Sequence, residues 1–196
     1  MEIPIRTKKR LGLAWFSPNT EEAGDSTMIS LIRDNCDFLQ QGIDLLERHG
    51  PESYVYADLQ CFGSSIGSHM RHVLDHYNSL VDGIASGIVD YDDRERRTAV
   101  ETKLAEGLAL ARETIDRLGC LDANLERKVE VIVSANTRGR EAASHSTVGR
   151  ELQFLASHTV HHYALIAIAS RMQGIHPEDT FGIAPSTLKY LQIADC

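Results

Sequence analysis

Apolar residues recur at helical spacing in four long stretches of the chain, separated by polar or glycine-containing breaks. The first runs from Ser26, an acceptable N-cap, through Met28, Ile29, Ile32, Cys36, Leu39, Ile43 and Leu46, until His49-Gly50-Pro51 stops the pattern. Residues 50–63 read as a loop. Ser64 or Ser65 then caps a second helix that carries Ile66, Met70, Val73, Leu74, Tyr77, Leu80, Val81 and Ile84 and ends near Gly87. A solvated run, Asp90 to Arg97, leads into a third helix over residues 98–118 with Val100, Leu104, Leu108, Ala111, Ile115 and Leu118, and Gly119 is its natural stop. Ser146 or Thr147 caps the fourth, which continues to Gln173-Gly174. Pro185 to Gln192 predicts a last short helix with proline near its start.

The period changes between the third and fourth helices. Val129, Val131 and Val133 alternate with charged or small residues, and Asn136-Thr-Arg-Gly139 is turn-like, so a short β-hairpin is expected within residues 125–145. The predicted fold class is all-α, a four-helix bundle with that hairpin before the fourth helix, an architecture in which facing helices readily build a metal site. Residues 1–25 hold only a short apolar patch, Leu11 to Phe16, and read as an irregular arm that packs through Trp15 and Phe16. Residues 26–196 are left as one domain.

Composition narrows the function classes. A hydrophobic content of 42% over 196 residues suits a single core. The formal charge of −8 lacks the positive field that nucleic acid or an anionic membrane requires, so neither partner is expected. No apolar run reaches the roughly 18 to 20 residues of a spanning helix, and no basic-then-apolar leader opens the chain, which reads as cytoplasmic. Cys36, Cys61, Cys120 and Cys196 are scattered without Cys-x-x-Cys spacing and are expected to be reduced, mostly structural thiols.

The candidate chemistry is histidine. In the stretch Leu152 to Ala169, a turn of about 100° per residue puts Leu155, His158, His162, Leu165 and Ala169 on one stripe, with the two imidazoles near its middle. A buried neutral imidazole needs partners for both ring nitrogens, and a metal ion supplies one of them. A stable site needs at least a third protein ligand. The second helix offers His69, His72 and His76 on one flank of its apolar stripe, and spacing alone does not choose among them. Asp75, Tyr77 and Glu151 are the polar groups nearest such a site, and Asp75, His76 and His161 are candidates for orienting a ligand imidazole. His49, His145 and His176 fall at element ends or in loops. No His-Glu-x-x-His or phosphate-binding glycine loop occurs.

Three segments, Ser65-Ile-Gly-Ser-His-Met-Arg-His-Val-Leu-Asp-His-Tyr77, Thr147-Val-Gly-Arg-Glu-Leu-Gln-Phe-Leu-Ala-Ser-His-Thr-Val-His-His162 and Phe181-Gly-Ile-Ala-Pro-Ser-Thr-Leu-Lys-Tyr190, together resemble the DinB/YfiT superfamily of metal-binding four-helix bundles. The resemblance implies one histidine ligand on the second helix and two, four residues apart, on the fourth: His72, His158 and His162. Where family members follow the last histidine with Arg-Gly-Gln, this chain has Tyr163-Ala-Leu165, so no substrate role tied to that arginine is expected.

The resemblance further implies one divalent ion, zinc first, with nickel or iron(II) as alternatives that imidazole also suits. It implies a metal-dependent hydrolase or thiol transferase in which water or a small-molecule thiol is the nucleophile acting on a small-molecule substrate, and a homodimeric assembly. A three-histidine set leaves coordination positions open for that chemistry. The alternative from another class is a non-catalytic, metal-stabilised interaction protein whose site is closed by a fourth ligand from His69, His76 or His161.

Overall fold

The computed structural model describes residues 20–58, 63–93, 95, 97–121, 124–134 and 142–194. The expected arm and its Trp15 and Phe16 lie outside the described residues. The described chain is mainly helical, with seven helices and a small three-stranded sheet.

Helix α1 spans Thr20–Leu46 and so begins ahead of the Ser26 cap read from the sequence. Leu39, Ile43 and Leu46 lie on its buried face. The loop expected after it contains a short helix, α2 (Pro51–Val55), with proline in its first turn and a buried Tyr54 whose hydroxyl donates to the Val100 carbonyl at 2.7 Å. Helix α3 (Ile66–Ser86) is capped by Ser65, whose hydroxyl accepts from the Ser68 amide at 3.0 Å, and ends at Gly87 in the left-handed conformation, φ 80°.

The single third helix of the sequence reading is two: α4 (Thr98–Thr102) and α5 (Leu104–Gly119). Lys103 between them is extended, at φ −128° and ψ 114°. Helix α6 covers Val148–Met172, with Thr147 accepting from the Arg150 amide, and α7 covers Pro185–Ala194.

The hairpin is present as β2 (Lys128–Val133) and β3 (Ala142–Thr147), antiparallel with Val129 opposite Ser146 and Val131 opposite Ser144. The expected turn, Asn136 to Gly139, lies outside the described residues. A strand not foreseen, β1 (Ile88–Asp90), pairs parallel to β2 on its other edge, and the Tyr91 amide extends that ladder by donating to the Ile132 carbonyl at 2.9 Å. The start of the run read as solvated is therefore structured: Val89 and Tyr91 are both buried.

The four long helices share one core. Helix α1 packs on α5 and α6, and so does α3. Buried apolar side chains from all four meet there, including Leu46, Met70, Leu74, Leu80, Leu118 and Leu152. The sheet closes one end of α3, because Gly83 lets β1 lie directly on the helix. A Cβ at that position would collide with the Ile88 carbonyl and stand 2.9 Å from the Val89 Cα. Gly83→Ala is therefore expected to lower the unfolding free energy by about 1–3 kcal/mol, the usual range for overpacking. Urea unfolding checks it, and an unchanged midpoint would show that β1 can lift off the helix freely.

Candidate metal centre

Helices α3 and α6 pack face to face, and each carries a His-x-x-x-His pair: His72 and His76 on α3, His158 and His162 on α6. The ring centres of His72, His76 and His158 are separated by 4.4 to 5.0 Å, and those of His72, His158 and His162 by 4.6 to 5.0 Å. The four rings thus form two triangles that share the His72–His158 edge. One nitrogen from each of His72, His76 and His158 lies within 4.8 Å of the others, a group that could hold a metal ion.

Of the three histidines that the resemblance implies as ligands, His72 and His158 belong to that group. His162 stands beside it, and His76 takes the third place. The signal for His76 was in the sequence: it follows His72 at the same spacing that separates His158 from His162, one helical turn on the same face.

Each ring is held differently. The His72 carbonyl accepts from His76 Nδ1 at 2.7 Å, which puts the His76 proton on Nδ1 and makes Nε2 the nitrogen that would ligate an ion. Tyr91 stacks on the His76 ring with centres 5.2 Å apart, and its hydroxyl donates to Glu151 Oε2 at 2.9 Å. Glu151 also accepts from the Ser146 hydroxyl at 2.5 Å, so β3 and α6 together fix the wall against which His76 rests. Burial and the Glu151 charge push the Tyr91 hydroxyl well above the ordinary phenol range, so it stays a neutral donor. Phe154 stacks on His158 at 5.5 Å and meets the Tyr91 ring, completing an aromatic side to the cluster. Tyr91 and Phe154 were not singled out in the sequence, because stacking partners leave no spacing signature.

His162 Nδ1 lies 3.0 Å from Nδ1 of His69, which is 8% exposed. Burial, followed by the neighbouring His158, His69, His161 and His76, lowers the His162 pKa to about 3, and burial followed by His161 lowers that of His69. Both rings are neutral at physiological pH, the state in which imidazole can ligate a metal. His161 is exposed, with its ring 5.2 Å from that of His162.

The other polar groups near the cluster have structural partners. Asp75 pairs with Arg71 at 3.3 Å, and Arg71 also reaches Glu101 at 2.8 Å. The Tyr77 hydroxyl donates to Asn35 at 2.8 Å and accepts from Thr159. His49, which the sequence placed at an ordinary helix end, is buried between the hydroxyls of Ser53 and Ser170 at 2.6 and 3.0 Å. His145 and His176 are exposed. Among the described residues Cys36 and Cys120 are free thiols.

His72, His158 and His162 are partly exposed, whereas His69 and His76 are buried. A cavity of about 450 Å³ runs along α3 past Asp75, Asn78, Ser79 and Asp82, and no histidine lines it. No described helix is long and apolar enough to cross a membrane.

No family model matches the chain. A 111-residue stretch is 26% identical to FK506-binding protein 5 of Rhizopus delemar, covering 54% of this chain and 28% of that protein. The chain thus corresponds to little more than a quarter of that relative's length, and the likeness assigns no activity.

The depressed pKa values make acid destabilising. The unfolded chain binds protons near the ordinary histidine value of 6.5, while folded His162 resists them down to about 3. Between those limits the unfolded state carries more protons, so the stability from keeping this ring neutral is complete above the unfolded value and is lost as pH falls through the window. The urea midpoint of metal-free protein is expected to hold above about pH 7 and to drop steadily below about pH 6, with a shallower drop in His162→Gln. A midpoint flat across that window contradicts the buried neutral ring.

Proposed function

We propose that the protein is a divalent-metal-dependent enzyme of the DinB-like four-helix-bundle kind, acting on a small-molecule substrate with water or a low-molecular-weight thiol as nucleophile. The observation that carries the reading is the convergence of imidazoles from two facing helices at one point. His72, His76 and His158 lie within mutual ligand distance, with the His162 ring 4.6 Å from two of them. These residues sit in the two sequence segments that resemble that superfamily.

The ligands in this reading are His72, His158 and His162. All are imidazoles, which suit zinc, nickel and iron(II), with zinc ranked first for hydrolytic or thiol-transfer chemistry. When bound, the ion supplies the Lewis acidity that makes water or a thiol nucleophilic near neutral pH. The protein's own contribution is to hold His162 neutral by burial and to seal the His76 and Tyr91 side, with substrate approaching past the partly exposed His72 and His162. No cysteine occurs within the histidine motifs, so a reacting thiol comes from a cosubstrate.

His76 separates this reading from a second one. It lies in one group with His72 and His158, and with His162 added a tetrahedral ion would have four imidazoles and no open position. In that case the ion clips α3 to α6 in a non-catalytic interaction protein.

Protein purified without chelator is expected to carry close to one divalent ion per chain by elemental analysis, lost in the His158→Ala, His162→Ala double variant. His72→Ala lowers metal affinity sharply, whereas His76→Ala lowers it by about 10- to 100-fold at most, the usual effect of a residue that orients a ligand. Equal losses at His72 and His76 support the closed site. Turnover of an activated haloarene that needs both thiol and metal supports a transferase, and metal-dependent ester or amide cleavage without thiol supports a hydrolase. Absence of both across several metals favours the non-catalytic reading.

A further inference from the structure

The contact between His69 and His162 joins like atoms: Nδ1 faces Nδ1 at 3.0 Å. Only one proton fits on that line, so one ring donates and the other accepts. The polarity of this bond fixes both tautomers. If His162 donates, its Nε2 carries a lone pair and can ligate an ion; if His69 donates, the His162 proton moves to Nε2 and that nitrogen cannot.

We propose that His69 is the positioning residue of the metal centre, accepting the Nδ1 proton of His162 and thereby presenting His162 Nε2 to the ion beside His72 and His158. The inference rests on the metal-binding reading above and adds to it a residue that touches no ion. Ligand histidines usually donate their second nitrogen to a carboxylate, a backbone carbonyl or water. His76 follows that habit with the His72 carbonyl at 2.7 Å. For His162 the acceptor is another imidazole, which sits one turn before His72 on α3 and shares that helix face. Helix α3 therefore supplies a ligand of its own and also steers the ligand that α6 brings to it.

His69 is 8% exposed and its Nε2 is sealed from solvent. As an acceptor at Nδ1 it carries its proton on Nε2. The ring centres of His69 and His162 are 5.2 Å apart with planes tilted at 46°, so the two rings do not stack.

Two variants and one spectrum test this. His69→Leu keeps apolar bulk and removes the acceptor, while His69→Asn puts an amide oxygen near the place of Nδ1. Competition titration with zinc is expected to show affinity lowered about 10- to 100-fold in His69→Leu and largely recovered in His69→Asn. In zinc-loaded wild type, nitrogen NMR of the imidazoles is expected to find the His162 proton on Nδ1 and the His69 proton on Nε2. A His69 proton on Nδ1, wild-type zinc affinity in His69→Leu, or equal weakness in both variants overturns the proposal while leaving the metal site standing. Wild-type protein that takes up no zinc, or takes it up equally after loss of His158 and His162, overturns the metal reading and this inference with it.

Discussion

The packing of α3 against α6 is the constraint on which the rest depends. Each helix carries a pair of histidines one turn apart, and apposition turns two unremarkable pairs into one cluster of imidazoles. The arrangement brings one nitrogen each of His72, His76 and His158 within 4.8 Å of one another and sets Nδ1 of His162 3.0 Å from that of His69. Everything around the cluster serves that convergence. Apolar side chains such as Met70, Leu74, Leu152 and Leu155 hold the two helices together on either side of it.

The small sheet gains its meaning from the same site. Strand β1 is only three residues long, yet its parallel pairing with β2 delivers Tyr91 to the face of the His76 ring. Tyr91 is then tied through Glu151 and Ser146 to α6 and β3. A strand, a hairpin and two helices thus converge on one imidazole. Gly83 permits the close approach of strand to helix, which is why a residue remote from the histidines bears on their geometry.

Polar residues on the adjoining flank of α3 do different work. Arg71 bridges Asp75 and Glu101, and Ser68 donates to the other oxygen of Glu101 at 2.6 Å, tying α4 to α3. Asp75, which by spacing was a candidate for orienting a ligand, is occupied in this pairing.

The helices were legible in the sequence because amphipathic periodicity is a local property. Ser65, Gly87 and Thr147 mark their ends by capping chemistry that operates within a few residues, and Val129 and Val131 announced the hairpin by alternation. The histidine pairs were legible for the same reason, as polar residues on otherwise apolar stripes. Strand β1 was not, because three residues carry no period and its existence depends on pairing with β2, forty residues away in the chain. The break at Lys103 was hidden in a continuous apolar pattern. Which of the five clustered histidines share one point, and which one merely steers another, depends on side-chain directions across two packed helices; spacing along each helix names the candidates, and only the tertiary contact between them ranks His76 with His72 and His158 and sets His69 against His162.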